Sequence, residues 1–247
     1  MTVVLVHGNP ETAAIWDPLK AELGRSDVIA LSPPGFGAPV PDGFTATSDA
    51  YLAWLVGELE QLDGPIDLVG HDWGGGHVQR VAATRPDLIR SWCSDITGAA
   101  DPDYVWHDMA QLWQSPDGEA AVQAMAALPV EDRVAAFVGV GMTPEAARSC
   151  AEAANDDMGR CIVALYRSAA QPAMARWGRE LEAAERRPAL AIVATEDPYT
   201  GGEAMHRRAA ERFGADVVIL AGLGHWWMLQ DPAQGADVIN RFVAGLD

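Results

Sequence analysis

Strand and helix signals alternate along this chain, stop once, and then resume. TVVLV (2–6), DVIAL (27–31), IDLVG (66–70) and LIRSWCS (88–94) are short, largely β-branched or apolar runs that read as strands. Between them, AIWDPLKAEL, the segment DAYLAWLVGELEQL with Ser48 as its cap, and residues 74–85 ended by Pro86 carry apolar residues at helical spacing. From about 98 to 187 the pattern is helical and alanine-rich, with Pro and Gly breaks. The alternation then returns with a strand at ALAIVAT (189–195), a helix at 202–213, a strand at DVVIL (216–220) and a helix at 232–245. Strands that are apolar throughout and separated by helices demand a parallel sheet covered on both faces. The expected fold is therefore α/β. Residues 1–97 and 188–247 form its core domain, and 98–187 form a helical cap over the carboxyl ends of the strands. Ligands bind at that edge in open α/β sheets.

The third strand ends in G-H-D-W-G-G at 70–75. This is the strand-turn-helix pattern G-x-Nu-x-G with Asp72 at the nucleophile position. The central residue of such a turn is strained, and only residues without Cβ fit where the helix packs against the strand. The following helix points its N-terminus at Asp72 and favours an ionised carboxylate there. The competing reading of Asp72 is an ordinary helix cap.

Four segments carry a resemblance over nearly the whole chain: LVHGNP near the start, GHDWGG, ATEDP after the strand at 189–195, and GLGHWW before the last helix. Together the chain resembles the α/β-hydrolase superfamily, in the branch with an aspartate nucleophile that includes epoxide hydrolases and haloalkane dehalogenases. Members usually carry two strands before the HG motif. Here the motif begins at His7, which implies a sheet of about six strands with helices on both faces. The resemblance implies no cofactor and no metal. It implies Asp72 as nucleophile, His225 as base and an acid that holds the imidazole. Asp197 stands at the commonest position for that acid, and Asp95, after the strand at 88–94, stands at the alternative one. Glu196 is expected to be solvated. An ionised carboxylate suits displacement at a saturated carbon, giving an alkyl ester that water activated by His225 then cleaves. The backbone N–H groups of Trp73 and Asn9 are expected to meet the resulting oxyanion; Pro10 has no N–H to offer.

Two features pull in opposite directions on the leaving group. Asn9 and Trp73 stand where haloalkane dehalogenases bind the departing halide with an amide and an indole N–H. Tyr166, in ALYRS, stands where epoxide hydrolases place a tyrosine that protonates the opening epoxide oxygen. The second tyrosine of that family falls on Ala110, with Tyr104 or His107 as substitutes. Haloacid substrates are not expected, because Trp73 replaces the arginine that would hold their carboxylate. Trp106, His107 and Trp113 are expected to line an apolar pocket, with Trp177, Trp226 and Trp227 lining or buttressing it. His71 and His77 are six apart and share no helical face, so neither is expected to bind metal. The leading expectation is epoxide hydration in a small to medium apolar molecule. Haloalkane dehalogenation follows it, and a non-catalytic binding protein on the same fold is the third reading.

Composition limits the partners. The net charge is −18, Lys20 is the only lysine and no Lys/Arg run occurs, which excludes nucleic acid and anionic membranes as natural partners. A neutral apolar small molecule suits this field, with the chain a monomer or homodimer. The three cysteines, Cys93, Cys150 and Cys161, show no C-x-x-C spacing, and no apolar run approaches the roughly 18 residues of a membrane span. A cytoplasmic location is expected.

Overall fold

The computed structural model describes residues 1–246. Six strands form one parallel sheet in the order β2-β1-β3-β4-β5-β6. They are β1 (Thr2–Val6), β2 (Val28–Leu31), β3 (Ile66–Gly70), β4 (Ser91–Ser94), β5 (Ala189–Ala194) and β6 (Asp216–Leu220). The connections run outward from β1 in both directions, so the topological switch lies between β1 and β3. The loops leaving those two strands therefore open side by side at the carboxyl edge.

Helices cover both faces. On one, α1 (Asp17–Leu23), the short α11 (Trp227–Gln230) and α12 (Pro232–Ala244) pack with a core built on Trp16, Leu19, Trp227 and Ile239. On the other, α2 (Ser48–Leu59), α3 (Trp73–Thr84) and α10 (Gly202–Phe213) pack through Leu55, Val78, Val81 and Phe213. Six helices lie between β4 and β5: α4 (Asp108–Gln114), α5 (Gly118–Ala127), α6 (Val130–Gly139), α7 (Pro144–Ala153), α8 (Asp156–Ser168) and α9 (Ala173–Ala183). Several of them share a third core with Trp73.

Two local boundaries differ from the sequence reading. The fourth strand begins at Ser91, because Pro86–Leu88 form a 3-10 turn that the fixed φ of proline favours. The cap of α2 is Thr47, whose hydroxyl accepts from Ala50 N–H at 3.3 Å, while Ser48 is the first helical residue and its hydroxyl accepts from Arg80. Among the described residues, no helix is long and apolar enough to cross a membrane.

Candidate active site

The candidate carboxylates, the candidate base and Asn9 sit in loops leaving the carboxyl ends of strands, while the cap helix α8 supplies Tyr166. Asn9 and Glu11 follow β1, Asp72 follows β3, Asp95 follows β4, Asp197 follows β5 and His225 follows β6. Parallel strands bring these loops together although up to 216 positions separate them in sequence.

Asp72 adopts φ 50° and ψ −128°, a left-handed conformation that a residue with a Cβ rarely takes. Close approaches enforce it. A Cβ on Gly74 would lie 2.0 Å from the Val6 carbonyl oxygen, and one on Gly8 would lie 2.1 Å from Asp72 Oδ1. The Asp72 side chain makes no capping hydrogen bond to α3, which removes the cap reading. Its Oδ1 accepts from the Asn9 backbone N–H at 3.1 Å, and the Trp73 backbone N–H also supports the carboxylate. The two donors expected to meet an oxyanion thus already face the Asp72 carboxylate, Asn9 on Oδ1. Oδ2 lies 3.9 Å from His225 Nε2. Burial, and then the negative charge of Glu11, push the Asp72 pKa up to about 6 against the opposing His225 and His71.

His225 Nδ1 donates to Asp197 Oδ2 at 2.8 Å, and Asp197 Oδ1 accepts from the Tyr199 N–H at 2.8 Å. Burial would lower the His225 pKa, but Asp197 outweighs it and the net shift is upward. Asp95, the alternative acid, is engaged elsewhere. Its Oδ2 contacts His71 Nδ1 at 2.5 Å and accepts from Trp227 Nε1 at 2.7 Å, and its Oδ1 accepts from the Asp72 N–H at 3.0 Å. Glu196 is exposed.

The sequence reading missed the centre of this arrangement. Fully buried Glu11 contacts His71 Nε2 through Oε1 at 3.0 Å, accepts from Trp226 Nε1 at 2.6 Å, and takes the Gly8 N–H on Oε2 at 3.0 Å. His71 is thereby clamped between two carboxylates. Burial opposes its charge, yet Asp95 and then Glu11 hold its pKa well above the ordinary imidazole value. Burial likewise opposes the Glu11 charge, and His71 overrides it, bringing Glu11 down to about 2. Ligand atoms of Glu11, His71 and His225 lie within 4.8 Å of one another, a metal-like spacing. Because both His71 nitrogens face carboxylates, the ring donates twice and keeps no lone pair for a cation. His77, by contrast, is driven down to about 3 by burial and stacks on Tyr51.

A cavity of about 270 Å³ opens onto Asp72 and His225, walled by Asn9, His107, Trp113, Tyr166 and Tyr199 among others. Tyr166, on α8, is buried among Trp73, Trp106 and Trp113, with ring centroids 5.3, 5.4 and 4.8 Å away. Burial and the Asp72 charge raise its pKa well above that of a free phenol, while donors on Trp73 and Asn9 oppose them. Those three side chains therefore converge beside the carboxylate. Trp106 lines a narrow cleft next to the main cavity, and His107 borders both spaces. Ala110 is buried within α4, and Tyr104 spends its hydroxyl on the Tyr199 carbonyl at 2.7 Å. Two tryptophans stand back from the cavity. Trp177 lies under the Arg80 guanidinium at 4.5 Å, outside the cavity, and Trp227 is buried beneath the site with its N–H on Asp95. Tyr199, a cavity wall 5.0 Å from the His225 ring, was not anticipated.

The sequence model of the alpha/beta hydrolase family matches residues 3–238. The chain belongs to that family. Over 117 residues it is 35% identical to lipase LipV of Mycobacterium tuberculosis, a match spanning 47% of this hydrolase and 44% of LipV, so less than half of either protein. Its fold is that of haloalkane dehalogenase DbeA from Bradyrhizobium elkani, with a TM-score of 0.76 at 21% identity over 99% of this chain and 90% of DbeA. It is equally that of the Cif epoxide hydrolase from Acinetobacter nosocomialis, with a TM-score of 0.77 at 20% identity over 98% and 82% of the two chains.

Proposed function

We propose that this hydrolase hydrates an epoxide in a small to medium apolar molecule through a covalent ester on Asp72. The observation that carries the reading is a phenol and a bare carboxylate sharing one cavity, with Asp72 and Tyr166 on its walls. Asp72 Oδ2 attacks an epoxide carbon, the C–O bond breaks, and the alkoxide takes the Tyr166 proton. The raised phenol pKa keeps that proton in place until the alkoxide develops. His225 Nε2 then removes a proton from water, and the hydroxide attacks Cγ of the ester. Negative charge gathers on Oδ1, where the Asn9 N–H waits with the Trp73 N–H beside the same carboxylate. Collapse expels the diol oxygen, which takes its proton from His225, and restores the carboxylate. Asp197 holds the imidazole in the required tautomer.

One observation favours a halide as leaving group. Among the described residues, the buried Asn9 amide closes no hydrogen bond of normal geometry and stands beside the Tyr166 hydroxyl, so its N–H₂ can turn to an anion in the chamber. Mass spectrometry of His225→Gln, which stalls at the ester, separates the two. Incubation with 1,2-epoxyalkanes is expected to add the whole substrate mass at Asp72. Alkyl adducts with free halide from 1-haloalkanes, and none from epoxides, would move the assignment to dehalogenation. No adduct from either panel would overturn Asp72 as nucleophile. Tyr166→Phe is expected to cut epoxide turnover by about 10²–10⁴-fold.

A further inference from the structure

Beyond the chamber at Asp72 lies a second cavity of about 200 Å³, bounded by α5, α6 and α8. The two spaces share walls: Pro10, Met109, Met125, Ala136 and Phe137 border both. Together they lie within the range of small-molecule sites, about 300–1,000 Å³. The first space is walled by Asn9, Asp72, Tyr166 and His225, and the second by no candidate chemical group. Its wall has two polar residues, and both are spent on the protein's own backbone. Arg133 donates to the carbonyls of Ala126, Leu128 and Ala151 at 2.6–3.2 Å, and Asn155 Oδ1 accepts from the Met158 N–H at 2.9 Å. The rest of the wall is apolar and suits an uncharged chain, and the net charge of −18 opposes an anion. Helix α6 contributes no fully buried residue, and Leu128, at the turn before it, is 45% exposed.

We propose that the second cavity is a tail subsite, and that the substrate is an uncharged molecule whose reactive carbon sits at Asp72 and whose unbranched alkyl chain runs past Met125 and Phe137 between α5, α6 and α8. The proposal narrows the epoxide reading to medium-chain alkyl epoxides and rests on it for the reactive group only. The shared wall identifies the occupant: Pro10, Met109, Met125, Ala136 and Phe137 are all apolar, so a chain passing between them from Asp72 meets no polar residue.

Two sets of measurements test it. Dissociation constants of 1-butanol to 1-octanol, followed by tryptophan fluorescence of the wild-type protein, are expected to fall by about fourfold per added CH₂, the factor for transferring one methylene from water. Ala126→Phe and Ala154→Phe fill the second cavity from opposite walls and leave the first untouched. Each is expected to abolish the gain between hexanol and octanol and to raise KM for 1,2-epoxyoctane at least tenfold, with 1,2-epoxybutane unchanged. Octanoate is expected to bind more weakly than octanol. If affinity levels off at butanol, if both filled variants bind octanol like the wild type, or if octanoate binds more tightly, the tail subsite is wrong. If alkanols show the length dependence and no epoxide is turned over, the subsite stands and the epoxide reading falls.

Discussion

Glu11→Gln keeps side-chain volume, removes one buried charge and replaces one acceptor with a donor pair. In the native protein the two Glu11 oxygens face three donors: the Gly8 N–H at 3.0 Å, the Trp226 indole at 2.6 Å and His71 at 3.0 Å. Whichever way the glutamine amide turns, its N–H₂ meets another donor. The displacement of the Glu11 pKa from 4.5 to about 2 corresponds to about 3 kcal/mol of stability. Removing one partner from a buried pair costs about 3–5 kcal/mol, which agrees. This is one coupled interaction with His71 and is counted once. Because folding lowers the Glu11 pKa, its contribution is complete above about pH 4.5 and is lost as pH falls toward 2. Urea unfolding at pH 7 is therefore expected to show the variant less stable by about 3 kcal/mol, a Tm drop on the order of 6–12 °C for a chain of this size. Near pH 3.5 the deficit is expected to shrink by about 1 kcal/mol. A difference under about 0.5 kcal/mol at pH 7, or a deficit equal at both pH values, would refute the charged clamp.

Asp72→Asn is expected to raise stability at pH 7 while abolishing turnover. Folding lifts the Asp72 pKa from 3.8 to about 6, so its charge destabilises the native state above that range, by up to about 3 kcal/mol; an unchanged or lower unfolding midpoint would count against this. The same shift sets the acid limb of kcat/KM, expected to fall about tenfold per pH unit below about pH 6 as Asp72 gains a proton. A profile flat down to pH 5 would contradict it. Asp197→Asn is expected to lower kcat by about 10³–10⁴-fold with little loss of stability, because it disturbs the His225 tautomer. Asp95→Asn is expected to do the reverse in emphasis, shifting unfolding by several kcal/mol because His71 and the Trp227 indole face it. Reversed outcomes for that pair would exchange the two carboxylates' roles.

The parallel sheet and the loops at its carboxyl edge were legible because the strands are apolar on both faces and end at glycine-bearing turns. GHDWGG was the clearest signal, since Gly70 and Gly74 answer to contacts that only a bare backbone fits. The choice between Asp95 and Asp197 was not legible. Both follow strands, and only the sheet order decides which carboxylate meets His225 and which meets His71. Glu11 was missed for the same reason, because its partner stands 60 positions away on a neighbouring strand's loop. The one available signal was a carboxylate directly after HGNP, in a loop that must be buried. Trp177 shares a core with Trp73, Trp113 and Tyr166 but stands under Arg80 away from the cavity, and apolar character predicts burial without saying at which side of a core. The early start given to the fourth strand treated Leu88 as extended, when the proline two residues before it had already set a turn.

The contact between Gly8 and Asp72 Oδ1 links two motifs that a designer would otherwise vary separately. A methyl group on residue 8 would occupy the space of the Asp72 carboxylate oxygen. A longer acid at position 72 would press on the same spot from the other side. Libraries aimed at new chemistry on this scaffold must therefore diversify the β1 and β3 loops together, as one cassette split across sixty residues of chain.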